Sequence, residues 1–126
     1  MLCVACGDSP TSPTSTTTPT TENFELTVPP QQDRFYSFNL SQAGDVKVGL
    51  MSVTLVPSPA ASSAVLRVGI GVPAGEGCAV ANTVDVASGL TPQLTVSVTT
   101  GIHCIDVADP GTLPSAALVS IRYSHP

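Results

Sequence analysis

Tyr36-Ser37-Phe38-Asn39-Leu40-Ser41-Gln42-Ala43-Gly44-Asp45-Val46-Lys47-Val48 decides the fold. Tyr36, Phe38 and Leu40 alternate with polar residues, Ala43-Gly44-Asp45 supplies a turn, and Val46 and Val48 resume the alternation beyond it. A period of two puts every second side chain on one face, so the segment reads as two half-buried strands joined by a turn. The same pattern continues outward in both directions. Upstream, Phe24, Leu26 and Val28 alternate with Glu25 and Thr27 until Pro29-Pro30 ends the strand. Downstream, the apolar set shifts from Val46, Val48 and Leu50 to Met51, Val53 and Leu55. A one-residue slip exchanges the two faces, so a bulge or sharp twist is expected within residues 49–52. Pro57-Ser58-Pro59 breaks the chain, and Leu66, Val68, Ile70 and Val72 start a further strand. A weaker strand covers residues 83–87, and stronger ones follow at residues 94–98, 102–107 and 117–123. About eight strands at turn-marked intervals imply an all-β fold, an antiparallel β-sandwich of jelly-roll type.

Composition points the same way and excludes several functions. Ser, Thr and Val account for 45 of the 126 residues, alongside 12 Pro and 10 Gly, which favours strands and turns over long helices. Four basic residues against nine acidic ones, a net charge of −5 and no Trp leave no electrostatic footprint for nucleic acid. No run of about 18 apolar residues is present that would cross a membrane as a helix.

The chain divides into residues 1–8, 9–22 and 23–126. Leu2-Cys3-Val4-Ala5-Cys6-Gly7 resembles the end of a bacterial lipoprotein signal, in which small residues precede the Cys that becomes the lipidated N-terminus. The resemblance implies lipidation at Cys6, a lipid anchor to the membrane, and the rest of the signal encoded upstream of Met1. Residues 9–21 are all Ser, Thr or Pro. With no apolar side chains to offset the entropy of ordering, residues 9–22 read as an extended spacer, a tether of up to roughly 40 Å. Residues 23–126 hold the β domain.

Cys78 and Cys104 lie inside that domain, and in an exported protein such a pair is expected to form a disulfide. It would close a loop of about 27 residues, worth roughly 3.5 kcal/mol by loop-closure entropy, and would pin the Gly-rich loop Gly75-Glu76-Gly77-Cys78 to a strand. Cys3-x-x-Cys6 has redox spacing without the βαβ context of a redox fold. His103 neighbours Cys104, but adjacent strand residues face opposite sides and do not share a metal.

Phe35-Tyr36-Ser37-Phe38 followed by Ala43-Gly44-Asp45-Val46-Lys47-Val48 resembles the early hairpin of bacterial pre-peptidase C-terminal domains. Thr100-Gly101-Ile102-His103-Cys104-Ile105-Asp106-Val107 is similar to that family's later Gly-Tyr-Tyr-x-Val-x-Val strand, with Cys104 inserted. Asp109-Pro110-Gly111 and Val119-Ser120-Ile121-Arg122-Tyr123 fit its final hairpin. The resemblance implies a small secreted β-sandwich that assists binding or secretion without catalysing.

A hydrolase needs a nucleophile, a base and an orienting group. The two histidines are His103 and the penultimate His125, where fraying is expected, and no Gly-x-Ser-x-Gly elbow occurs. No catalytic residue and no cofactor is assigned. Asp85, Asp106 and Asp109 are the calcium candidates by ligand type, without EF-hand spacing; solvated turn carboxylates are their default role. Lys47, Arg67 and Arg122, three of the four basic residues, each alternate with a core-facing set and therefore point outward. Should their strands be neighbours, they form a cationic patch for a carboxylate or a sulfated glycan. The expected function is a non-catalytic extracytoplasmic structural or binding module of the cell envelope, with a protein or glycan ligand. The alternatives are a secreted enzyme accessory or inhibitor domain recognising a protease, protein or polysaccharide, and a subunit of a surface filament or adhesin pairing through strand edges.

Overall fold

A computed structural model describes residues 18–126. Among them are nine strands: β1 (Thr20–Val28), β2 (Asp33–Leu40), β3 (Gly44–Leu55), β4 (Ala60–Ala61), β5 (Leu66–Ala74), β6 (Gly77–Val86), β7 (Leu94–Val98), β8 (Gly101–Ala108) and β9 (Ala117–His125). One sheet has the order β1-β9-β3, with β4 and β7 both lying along the outer edge of β3. The other has the order β2-β8-β5-β6. All pairings are antiparallel.

The pairs β1·β9, β2·β8, β3·β7 and β5·β6 match each early strand to a late one about the β5–β6 hairpin. The chain is thus one long hairpin wound across two sheets, which is the jelly-roll arrangement expected from the strand pattern. The two-residue β4 is an addition to it, folded back on Thr54 and Leu55.

Alternation sets the core. Val46, Val48 and Leu50 of β3, Leu66, Val68 and Ile70 of β5, Ile105 and Val107 of β8, and Val119, Ile121 and Tyr123 of β9 are buried between the sheets. Phe24, Tyr36, Phe38 and Tyr123 gather at one side of this core, with Phe24 stacked on Tyr36 at 4.3 Å and Phe38 at 5.0 Å from Tyr123. Burial, then the charge of Glu22 and the neighbouring Tyr36, pushes the Tyr123 hydroxyl above the usual tyrosine range. The expected irregularity in β3 is present. Ile121 pairs with Leu50 and Ser120 with Ser52, so Met51 is the extra residue of a bulge.

Three boundaries differ from the sequence reading. Thr20–Glu22, expected to belong to the spacer, open β1 and pair with His125, Ser124 and Tyr123. Their β-branched Thr residues suit a strand once β9 offers a partner backbone, and Glu22 Oε2 lies 2.6 Å from His125 Nε2. His125 is accordingly the last residue of β9 rather than a frayed end. The remainder of the spacer to residue 17, and Cys3 and Cys6, lie outside the described residues. The weak strand at residues 83–87 is the end of a ten-residue strand, β6, so Cys78 stands near a strand start and not in a loop.

Cys78 and Cys104 are bonded, with Cα atoms 6.0 Å apart. Cys104 belongs to β8 and Cys78 to β6, with β5 between them. The span is short because β6 crosses closely over two β5 glycines. A Cβ on Gly71 would collide with the Ala79 carbonyl oxygen, and one on Gly69 with Val80 Cγ1. Opening the bond by Cys78→Ser is expected to lower stability by about 3.5 kcal/mol, the entropy restored to the unfolded chain. Chemical denaturation of wild type and variant measures it; equal midpoints would refute the role assigned to the bridge.

Candidate functional site

The outward residues of β1, β9 and β3 build a pocket on the outer face of the first sheet. Register places Arg122 opposite Gly49 on one side and Asn23 on the other, and Ser124 opposite Lys47 and Thr21. Lys47 and Arg122 are therefore diagonal neighbours, within reach of one bound group. Together with Thr21, Gly49, Met51, Leu90, Pro92 and Ser124 they line a pocket of about 140 Å³. Arg122 Nε donates to Asn23 Oδ1 at 3.2 Å, which orients the guanidinium along the sheet. Asp45, the next outward residue of β3, accepts from Ser97 Oγ at 2.6 Å. Among the described residues, the ion pairs are Arg67–Asp85 and His125–Glu22, so neither Lys47 nor Arg122 is neutralised by a carboxylate.

The pocket's other wall is a clamped loop. Gln93 inserts its amide against the edge of β3: the Leu50 N–H donates to Gln93 Oε1 at 2.7 Å, and Gln93 Nε2 donates to the Leu50 and Ala87 carbonyls at 3.4 and 3.2 Å. The Gly89 and Gln93 N–H groups donate to the Leu50 and Val48 carbonyls, both at 2.9 Å. This side-chain amide stands in for a strand residue where β7 has not yet begun. It fixes the segment that carries Leu90 and Pro92. Met51 reaches the same side by alternation with Lys47 and Gly49, and the bulge there returns Val53 to the core.

Arg67, expected to join the cationic patch, does not. It belongs to the other sheet, where its Nε and Nη2 donate to Asp85 Oδ1 and Oδ2 at 2.8 and 3.2 Å. The hydrogen bonds from Arg67 hold the Asp85 carboxyl below its usual range. The fourth basic residue, Arg34, donates to the Asp33 carbonyl at 2.7 Å and to Gln32 Oε1.

The calcium candidates also separate. Asp85 is engaged by Arg67. Asp109 is buried, and its carboxylate accepts from the N–H groups of Gln31, Gly111, Thr112 and Leu113 at 2.8, 2.9, 2.7 and 3.3 Å. Burial pushes this carboxyl up, but the four backbone donors outweigh it and hold it down to about 2. Asp106 is buried on the outer side of β8, between Phe35 of β2 and Gly69 of β5, and its Oδ1 has no hydrogen-bond partner. Burial, followed by the hydrogen bond and charge of Asp33, pushes it up to about 8. Among the described residues no three His, Cys, Asp or Glu are grouped to hold a metal ion. His103 faces the core and donates from Nε2 to the Thr99 carbonyl at 2.7 Å.

Sequence reasoning found Lys47 and Arg122 but not Gln93, Leu90, Met51 or Asn23. The available signal was small: one Gln after Pro92, immediately before a strand, in a chain where most polar side chains are Ser or Thr. The arrangement can bind an anion; it does not set a nucleophile beside a base. In class, the molecule is a jelly-roll β-sandwich with a cationic pocket on one outer face. Comparison with protein-family models and with curated proteins finds no match to either.

Proposed function

We propose that this protein is a non-catalytic extracytoplasmic binding module, tethered to a membrane surface through its N-terminal arm and recognising an anionic ligand at Lys47 and Arg122. The observation that carries the reading is the convergence on one concave site of two cations that make no ion pair among the described residues, in a chain of net charge −5. The Cys78–Cys104 bond supports an oxidising compartment. The lipoprotein-like residues before Cys6 support the anchor, and the resemblance to pre-peptidase C-terminal domains supports an exported accessory role without catalysis.

The test exploits the mismatch between net and local charge. At low ionic strength, where surface electrostatics are least screened, an acidic protein should pass through a sulfated polyanionic matrix unless a local cationic site holds it. Wild type is expected to be retained, and the Lys47→Gln/Arg122→Gln double variant to flow through. Identical elution of the two would end the reading. For the anchor, when the chain is expressed with the signal segment encoded upstream of Met1, wild type is expected in the membrane fraction of expressing bacteria and Cys6→Ser in the soluble fraction; equal distributions would remove the tether from the proposal.

A further inference from the structure

We propose that the Lys47–Arg122 pocket takes a carboxylate carried on a compact apolar body. The proposal rests on the reading of this pocket as a ligand site and names the chemistry it recognises.

Two halves of the pocket make different demands. On one side, Arg122 offers a planar fork suited to a two-oxygen anion, and Lys47 adds a point charge diagonally across the sheet. Among the described residues neither cation is in an ion pair, and Asp45, which accepts from Ser97 Oγ, keeps its own charge one outward position from Lys47, so an anion would be held by direct contacts to Lys47 and Arg122. On the other side stand Met51, Leu90 and Pro92. Leu90 is 87% exposed, the most exposed large hydrophobic residue among those described. Its segment is held by the hydrogen bonds of Gln93 and Gly89 to β3, so this apolar wall is fixed before any ligand arrives.

The floor between the halves is Gly49. A Cβ there would lie 3.3 Å from Met51 Sδ and 3.5 Å from Pro92 Cα, so the missing side chain is what leaves the pocket open. The volume of about 140 Å³ suits one small branched or ring-sized group; a cavity of about 150 Å³ holds benzene. A bare inorganic anion would leave Met51, Leu90 and Pro92 uncovered. A neutral apolar molecule would desolvate two cations without giving them a counter-charge. A carboxylate on a short apolar body satisfies both sides.

The experiment is a ¹⁵N-resolved NMR titration of the full chain with 3-methylbutanoate, acetate, inorganic sulfate and 3-methylbutan-1-ol. 3-Methylbutanoate is expected to move the amide signals of Gly49, Leu90 and Gln93 and to bind at least about tenfold more tightly than each of the other three. Lys47→Met and Arg122→Met are each expected to weaken it about tenfold, and Leu90→Ser to reduce it to the level at which wild type binds acetate. Acetyl-Gly-Leu with a free or an amidated C-terminus separates the sources of the carboxylate. Binding of the free form about tenfold tighter than 3-methylbutanoate identifies a peptide terminus, and equal binding a small free acid. Equal affinity for acetate, sulfate or the alcohol would overturn the proposal, as would the absence of 3-methylbutanoate binding. Retention of wild type on the polyanionic matrix would then still uphold the broader anion-binding reading. Loss of both results would remove the site altogether.

Discussion

Asp109→Ala is expected to lower the unfolding free energy by at least ~4 kcal/mol, because four backbone N–H groups lose their acceptor at once. Gln31, one of the four, belongs to the β1–β2 turn and has φ 61°, a left-handed conformation costly for a residue with a side chain. The carboxylate thus ties the turn after β8 to a strained turn across the sheet, and the Asp109 N–H donates back to the Gln32 carbonyl at 2.9 Å. A loss of this size shifts the midpoint of thermal unfolding by on the order of 15 °C. Because the folded carboxyl titrates at about 2 and the unfolded one near ~3.9, its contribution is complete above pH ~4 and is lost as pH falls towards 2. Asp109→Asn should keep part of the stability at neutral pH and lose this acid sensitivity. Thermal melts between pH 2 and 7 test both statements; a wild-type-like midpoint for Asp109→Ala would contradict the anchoring role.

Asp106→Asn is expected to act in the opposite direction and raise stability by up to about 4 kcal/mol at pH 7. Its folded carboxyl titrates at about 8 against ~3.9 unfolded, so the folded chain holds a proton that the unfolded chain has released. Stability from this group is full below pH ~4 and falls as pH rises through neutrality towards the folded titration. Asparagine keeps a donor for Asp33 and has no proton to lose. Asp106 and Asp109 thus act at opposite ends of the pH range, and the Asn variant is expected to lose the decline towards neutral pH while keeping the one at acid pH. Denaturant unfolding at pH 5 and 8 measures the slope. Parallel pH profiles for wild type and Asp106→Asn would show that Asp106 ionises freely despite its burial.

The sandwich was readable because its strands alternate: residues 36–48 carry the period of two without ambiguity, and the slip from Leu50 to Met51 announces the bulge later seen opposite Ile121 and Ser120. The disulfide was readable from the two cysteines within the β domain. The boundary at Thr20–Glu22 was not, since Thr residues look the same in a spacer and in a strand; only the partner β9 distinguishes them. The patch was half readable. Outward direction follows from alternation, so Lys47, Arg67 and Arg122 were correctly faced. Which sheet each strand joins depends on long-range pairing, and that sends Arg67 to Asp85 and leaves Lys47 with Arg122. The Gln93 clamp leaves little local pattern, because its main partner, Leu50, is 43 residues away and is met only after folding.

The register of β1 against β9 also determines how the molecule answers a mechanical load. Thr20, the first residue of β1, lies beside His125, the last of β9. Tension applied between the arm and the C-terminus therefore opens the pair from one end, breaking its bonds in succession rather than all together. Unravelling begins at modest force, at the Glu22–His125 contact. It then meets a covalent stop: the 26-residue separation between Cys78 and Cys104 is withheld from extension, roughly 90 Å of contour that tension cannot release while the bond is closed.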